Sequence, residues 1–281
     1  MSVTLSVSLL IAAYAIGLLR FRRHAGGNRG PSMIRVVAMA AGLLVIELAL
    51  ASRLDDLADH LLSAHMTQHL LLMLIAAPLL VSARPLPYLV WGLPTPLRRI
   101  LARLWNPMGL SGFCRVIRAP ALCWIGFCAT VIFWHIPALY RWAIRDEFRH
   151  ALMHLSFLGA ALLFWSVVIV PTHRQRLNYA SAGLYVFSAA LLTGLPGALI
   201  TFARRPLYIE APYGSLPFGL TALTDQQLAG LIMWIPMDLI LFGAALALFG
   251  AGLSHNRSTG SEGRRVDDSA FGIGGKKARS A

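Results

Sequence analysis

The stretch LLSAHMTQHLLLMLIAAPLLVS (61–82) holds no Asp, Glu, Lys or Arg. A helix crossing about 30 Å of hydrocarbon needs roughly 20 mainly apolar residues, so this stretch reads as one membrane span. It nevertheless carries two histidines, His65 and His69, four positions apart. Ionisable groups are costly inside a membrane and mark functional candidates there.

Six further segments read the same way. The expected spans are 2–20, 33–52, 61–82, 121–140, 150–171, 181–203 and 226–253. The fold class is therefore an all-α polytopic bundle of seven transmembrane helices, one domain over 1–253. The remainder, 254–281, is basic and rich in Gly and Ser, and is expected to be a disordered tail. Composition agrees: the 281 residues are 57% hydrophobic and 13% charged, against about 25% charged in soluble domains. The first span is followed by Arg20, Arg22 and Arg23, with no charged region ahead of it and no small-residue cleavage site, so it reads as an uncleaved helix. Pro78, Pro196 and Pro236 are expected to kink their spans, with Gly194 and Gly197 adding to the effect in the sixth. No repeat of fixed period is visible. The three cysteines, Cys114, Cys123 and Cys128, form no CxxC; Cys123 and Cys128 read as packing residues.

The net charge of +13 would raise nucleic acid as a partner in a soluble chain. Here 19 of the 25 Lys and Arg fall in alternate connections and the C-terminal tail. By the positive-inside rule the C-terminus is then cytoplasmic and the N-terminus outside. The excess charge marks orientation in a lipid bilayer, not nucleic acid. Residues 95–105, TPLRRILARLW, have an apolar and a basic face, as an interfacial helix or an ordinary loop helix would.

This orientation puts His24, His173 and His255 in basic cytoplasmic segments and the other six histidines at the outer ends of spans. His65 and His69 lie about 40° apart around their helix, one turn apart in depth. His150 and His154 repeat that spacing on the fifth span, at comparable depth, and His135 lies near the outer end of the fourth. Imidazole suits zinc, copper, iron and nickel, and histidines at i, i+4 can share one ion. His65, His69, His135, His150 and His154 are the candidate metal ligands. His60 is about 140° from His65, so it needs a helix break or a capping role.

Several polar neighbours are candidates for a supporting layer. Glu47, in the outer part of the second span, could orient a ligating imidazole or serve as a structural carboxylate. Thr224 and Gln227 form a capping-box pattern, with Asp225 in the favourable first turn. Gln226, Gly230, Met233 and Met237 share one face of the last span. A methionine face can pass a soft cation but is also ordinary packing material. Asp238 lies deeper, without an assigned role.

The segments SAHMTQHLLLMLIAAPLL (63–80), FWHIPALY (133–140), HALMHLSFLGAALLFW (150–165) and DQQLAGLIMWIP (225–236) resemble the multi-span CtaG-type cytochrome c oxidase assembly factors. The resemblance runs through roughly residues 40 to 250 and leaves out the first span and the tail. Its pattern falls on His65, Gln68, His69, His135, Pro137, His150, His154, Asp225, Gln226 and Gly230. It implies a bacterial inner-membrane protein that helps mature haem–copper oxidases by handling copper for the active-site centre of subunit I. Outer-face histidines would then receive the ion from a periplasmic copper donor.

Two other classes compete. Axial histidines from facing helices, such as His65 with His150, could hold a b-type haem in a membrane oxidoreductase. Kinked spans with Glu47 and Asp238 could belong to a metal transporter, although no inverted repeat supports that. No nucleophile–base triad, phosphate-binding glycine loop or HExxH motif is present, so hydrolysis and phosphoryl transfer have no support and no enzyme activity is expected.

Overall fold

The computed structural model describes residues 3–24, 30–105, 112, 116–171, 176–208 and 216–271. Cys114, His173 and the last ten residues therefore lie outside the described residues. Among the described residues every regular element is helical. Helices α1 (Val3–His24) and α2 (Met33–Leu50) are followed by the short α3 (Arg53–Ala58). Then come α4 (Leu62–Ala83), α5 (Leu86–Gly92) and α6 (Thr95–Trp105). The chain continues through α7 (Pro120–Trp134), α8 (Pro137–Ile144), α9 (Glu147–Ile169), α10 (Tyr179–Thr201) and α11 (Ala222–Phe271). Helices α1, α2, α4, α9, α10 and α11 up to Ser254 are long and apolar enough to cross a membrane; α7 with α8 makes a seventh if that pair is one span.

That pair corrects the expected continuous span over 121–140. Between α7 and α8 the chain turns by 79°. The cause is Pro137. A residue preceding proline is pushed out of the helical region, and Ile136 is extended (φ −70°, ψ 121°). Pro137 then occupies the first turn of α8, where its missing N–H costs nothing. His135 sits at the corner instead of on a helix face.

Pro78 acts differently. Residues Leu71–Ala76 of α4 form a π-helical segment, and the Ala77 N–H reaches back five residues to the Leu72 carbonyl. In that register the Met73 carbonyl would pair with residue 78, which as proline has no N–H. The Trp165 indole of α9 donates to it instead, at 2.9 Å. A freed backbone group is thus satisfied by a neighbouring helix, as the membrane interior requires. Pro196 and Pro236 lie inside helices that continue past them. The tail expected to lack structure continues α11 to Phe271; extending an existing helix avoids the cost of nucleating one.

Lipid is as apolar as leucine, so helices associate through close packing and small residues. A Cβ on Gly230 of α11 would fall 2.4 Å from Thr201 Oγ1 and 2.7 Å from the Gly197 carbonyl of α10. Gly197 and Gly230 therefore serve close approach. Helix α4 is central because it feeds two apolar clusters. Its Met66 and Met73 join Phe127, Phe157, Val186 and Met237 in one. Its Leu72, Ala76 and Leu80 join Met39, Leu43 and Tyr88 in the other.

Gly230→Ala forces α10 and α11 apart and is expected to destabilise the detergent-solubilised protein by about 1–3 kcal/mol. Gly250→Ala, with nothing within 4 Å of the new Cβ, is the control. Thermal unfolding of both variants checks this; equal unfolding temperatures would contradict the close-packing role.

Candidate metal centre

The helix spacing brings the five candidate histidines together. His65 and His69 project from α4, and His150 and His154 from α9. The ring centroids of His65 lie 4.5 Å from His69, 5.0 Å from His150 and 5.2 Å from His154. His150 and His154 are 4.5 Å apart, and His69 and His154 5.1 Å. His135 approaches from the α7–α8 corner, 5.9 Å from His69. Tyr140 packs on His65 and Phe157 on His69. His65, His69, His135 and His154 are buried and His150 is half-buried.

One subset is compact enough for a single ion. One nitrogen each from His65, His150 and His154 lies within 4.8 Å of the others. The Nε2 atoms of these three histidines and both ring nitrogens of His69 are buried without a hydrogen-bond partner among the described residues. Neutral imidazole nitrogens with free lone pairs are metal ligands; leaving them unpaired and dry costs on the order of 1–3 kcal/mol each. The arrangement could hold a metal ion.

The supporting residues act through backbone. Asp225 does not merely favour its own helix: its carboxylate reaches across to cap α4. It accepts from the Leu62 N–H at 2.7 Å, the Ser63 N–H at 3.2 Å and the Ser63 hydroxyl. The first turn of α4, which carries His65, is thereby pinned to α11. The local cap of α11 is Thr221, whose hydroxyl accepts from the Thr224 N–H. Gln68 donates to the Ala49 carbonyl at 2.8 Å and to Asp55 at 2.7 Å, tying α4 to α2 and α3. Burial raises the Asp55 carboxyl above its usual range, with the Gln68 hydrogen bond opposing. At the start of α9, Asp146 accepts from the Arg149 N–H. That bond, and a second from the guanidinium, hold its carboxyl below the usual value.

Gln226 also works at one remove. It accepts from the Leu207 N–H and donates to the Arg205 carbonyl, which fixes the approach to Tyr208. The Tyr208 hydroxyl in turn donates to the His135 carbonyl. Tyr208 is a site residue that the sequence reading missed, because it lies in an irregular connection with no motif around it. Met66 was missed as well, although it stands between the paired histidines; its sulfur is 3.2 Å from His135 Nε2.

Two expected neighbours stand apart. His60 is in the break between α3 and α4 that its angle demanded, but it is exposed and pairs with the Asp56 carbonyl. Glu47 lines an apolar cavity of about 410 Å³ with Tyr14, Met39 and Leu43, between α1 and α2. Met233 belongs to the apolar cluster that also contains Met66. Cys123 and Cys128 are buried and form no disulfide among the described residues.

The fold and this site define a helical protein with several candidate membrane spans and a buried histidine cluster able to take a metal ion. The family model of the cytochrome c oxidase caa3 assembly factors (Caa3_CtaG) matches residues 12–253, and the chain belongs to this family. The match begins within α1, so it takes in part of the first span. Searches among curated proteins and among solved structures find no match.

Asp225→Ala removes the cap of α4 and strands its first N–H groups. Amide hydrogen exchange at residues 62–66 is expected to accelerate about 10- to 100-fold, the equivalent of 1–3 kcal/mol. Unchanged exchange there would refute the cross-helix cap.

Proposed function

We propose that this oxidase assembly factor binds copper through His65, His150 and His154 and passes it toward the haem–copper centre of oxidase subunit I. The observation that carries the reading is the convergence of three imidazole nitrogens within 4.8 Å, each histidine keeping a buried Nε2 without a partner among the described residues. Family membership supplies the oxidase context. Imidazole donors suit copper without excluding zinc, so the choice of copper rests on that context.

In this reading the protein is a multi-pass protein of the bacterial inner membrane, with its N-terminus outside. The asymmetry of Lys and Arg supports that orientation. The histidine cluster then opens toward the periplasm, where a copper donor docks. Asp55 and Asp59 lie close enough to act electrostatically on His150, the half-buried histidine, and their negative charge attracts an arriving cation. The haem alternative requires a porphyrin plane between two axial imidazoles. Here five rings crowd one another, Tyr140 and Phe157, so a bare ion fits the geometry better.

Copper analysis of purified protein tests the reading. Wild-type protein is expected to retain copper at neutral pH, and His150→Ala/His154→Ala to retain less by at least about one equivalent per chain. Protons compete for the same lone pairs, so retention should fall as the pH is lowered. Equal copper content in the double variant and the wild type would overturn the site.

A further inference from the structure

His135 and Met66 form a contact that hydrogen bonding does not explain. His135 Nδ1 lies 2.6 Å from the Val131 carbonyl oxygen. A carbonyl only accepts, so Nδ1 carries the ring's N–H. A neutral imidazole has one N–H, and Nε2 must therefore present its lone pair. That lone pair faces Met66 Sδ at 3.2 Å, and a thioether sulfur offers only lone pairs in return. Two acceptors confront each other with no proton between them. Charging the ring would supply a second N–H, but at the cost of burying a cation that no carboxylate contacts among the described residues.

We propose that His135 Nε2, Met66 Sδ and His69 form a second cation subsite, behind the three-histidine site, that takes Cu(I). A soft cation between sulfur and nitrogen turns the confrontation of lone pairs into coordination, and thioether with imidazole is a donor set that favours Cu(I) over harder ions. Burial supports a monovalent ion: Met66 is 1% exposed, His69 2% and His135 5%. His69 supplies the third donor: both of its ring nitrogens are buried and unpartnered among the described residues, so either tautomer leaves one lone pair free. It also stands 4.5 Å from His65 and 5.1 Å from His154, so it borders both subsites. Copper can move from the half-exposed His150 inward through His69 without leaving imidazole contact. The corner at Ile136–Pro137 and the Tyr208 hydroxyl on the His135 carbonyl hold Nε2 in place. The inference rests on the copper reading for the identity of the ion, and on the His135–Met66 contact for the existence of the subsite.

The test is anaerobic titration of the full-length purified protein with Cu(I) against a chromophoric chelator, with copper-edge X-ray absorption on the loaded samples. Wild type is expected to bind about two Cu(I) per chain and to show sulfur scattering. Met66→Leu conserves volume; it should bind about one Cu(I), with nitrogen scattering alone. His150→Ala/His154→Ala should also bind about one, with sulfur scattering retained. Wild type showing only nitrogen scattering, or Met66→Leu binding as much Cu(I) as wild type, overturns the subsite while the three-histidine site stands. One Cu(I) in the wild type, with sulfur scattering that survives in the double histidine variant, supports the subsite and overturns the three-histidine site. No bound Cu(I) in the wild type overturns both.

Discussion

Five imidazole nitrogens buried without hydrogen bonds among the described residues are the constraint around which this molecule is organised. Each carries a desolvation cost that packing alone does not return. Such an arrangement persists only where the surroundings leave the rings no alternative. Here the surroundings do so through backbone, fixing the helix starts and corners from which the rings project. A cation that takes the one lone pair a neutral ring offers turns that cost into a binding interaction.

Helix α4 shows how the fold meets this demand. Its first turn is capped by a carboxylate from α11, its second is tethered by Gln68 to α2 and α3, and its middle widens into a π segment. The π segment begins two residues after His69, and Trp165 of α9 satisfies the carbonyl that it frees. Single-turn π segments are frequent at functional sites. The same helix, α9, also carries His150 and His154, so one helix pair both supplies four imidazoles and stabilises the irregularity beside them.

Much of this was legible in the sequence, and the exceptions share a cause. Apolar runs located six helices long and apolar enough to cross a membrane to within a few residues, and the i, i+4 spacing of two histidine pairs foretold that their rings would meet. The break at His135 was not foreseen, because residues 121–140 hold no Asp, Glu, Lys or Arg and read as one apolar run; Pro137 was the available signal. Asp225 was read as serving its own helix because a local pattern cannot show a partner 163 positions away. Glu47 looked well placed by depth, yet rotation about α2 turns it toward α1, and depth carries no information about rotation. Met66 and Tyr208 matter only through tertiary contacts with His135, one side chain to side chain and one to backbone.

Membership of the caa3 assembly factors gives the histidine cluster a context, and the geometry gives it a chemistry. The central claim is that the imidazoles of α4 and α9 converge on a copper ion. Anomalous diffraction at the copper edge from crystals of the copper-loaded protein tests it most directly. The account predicts a peak within bonding distance of His65, His150 and His154. Copper bound only elsewhere, with these three imidazoles empty, would contradict it.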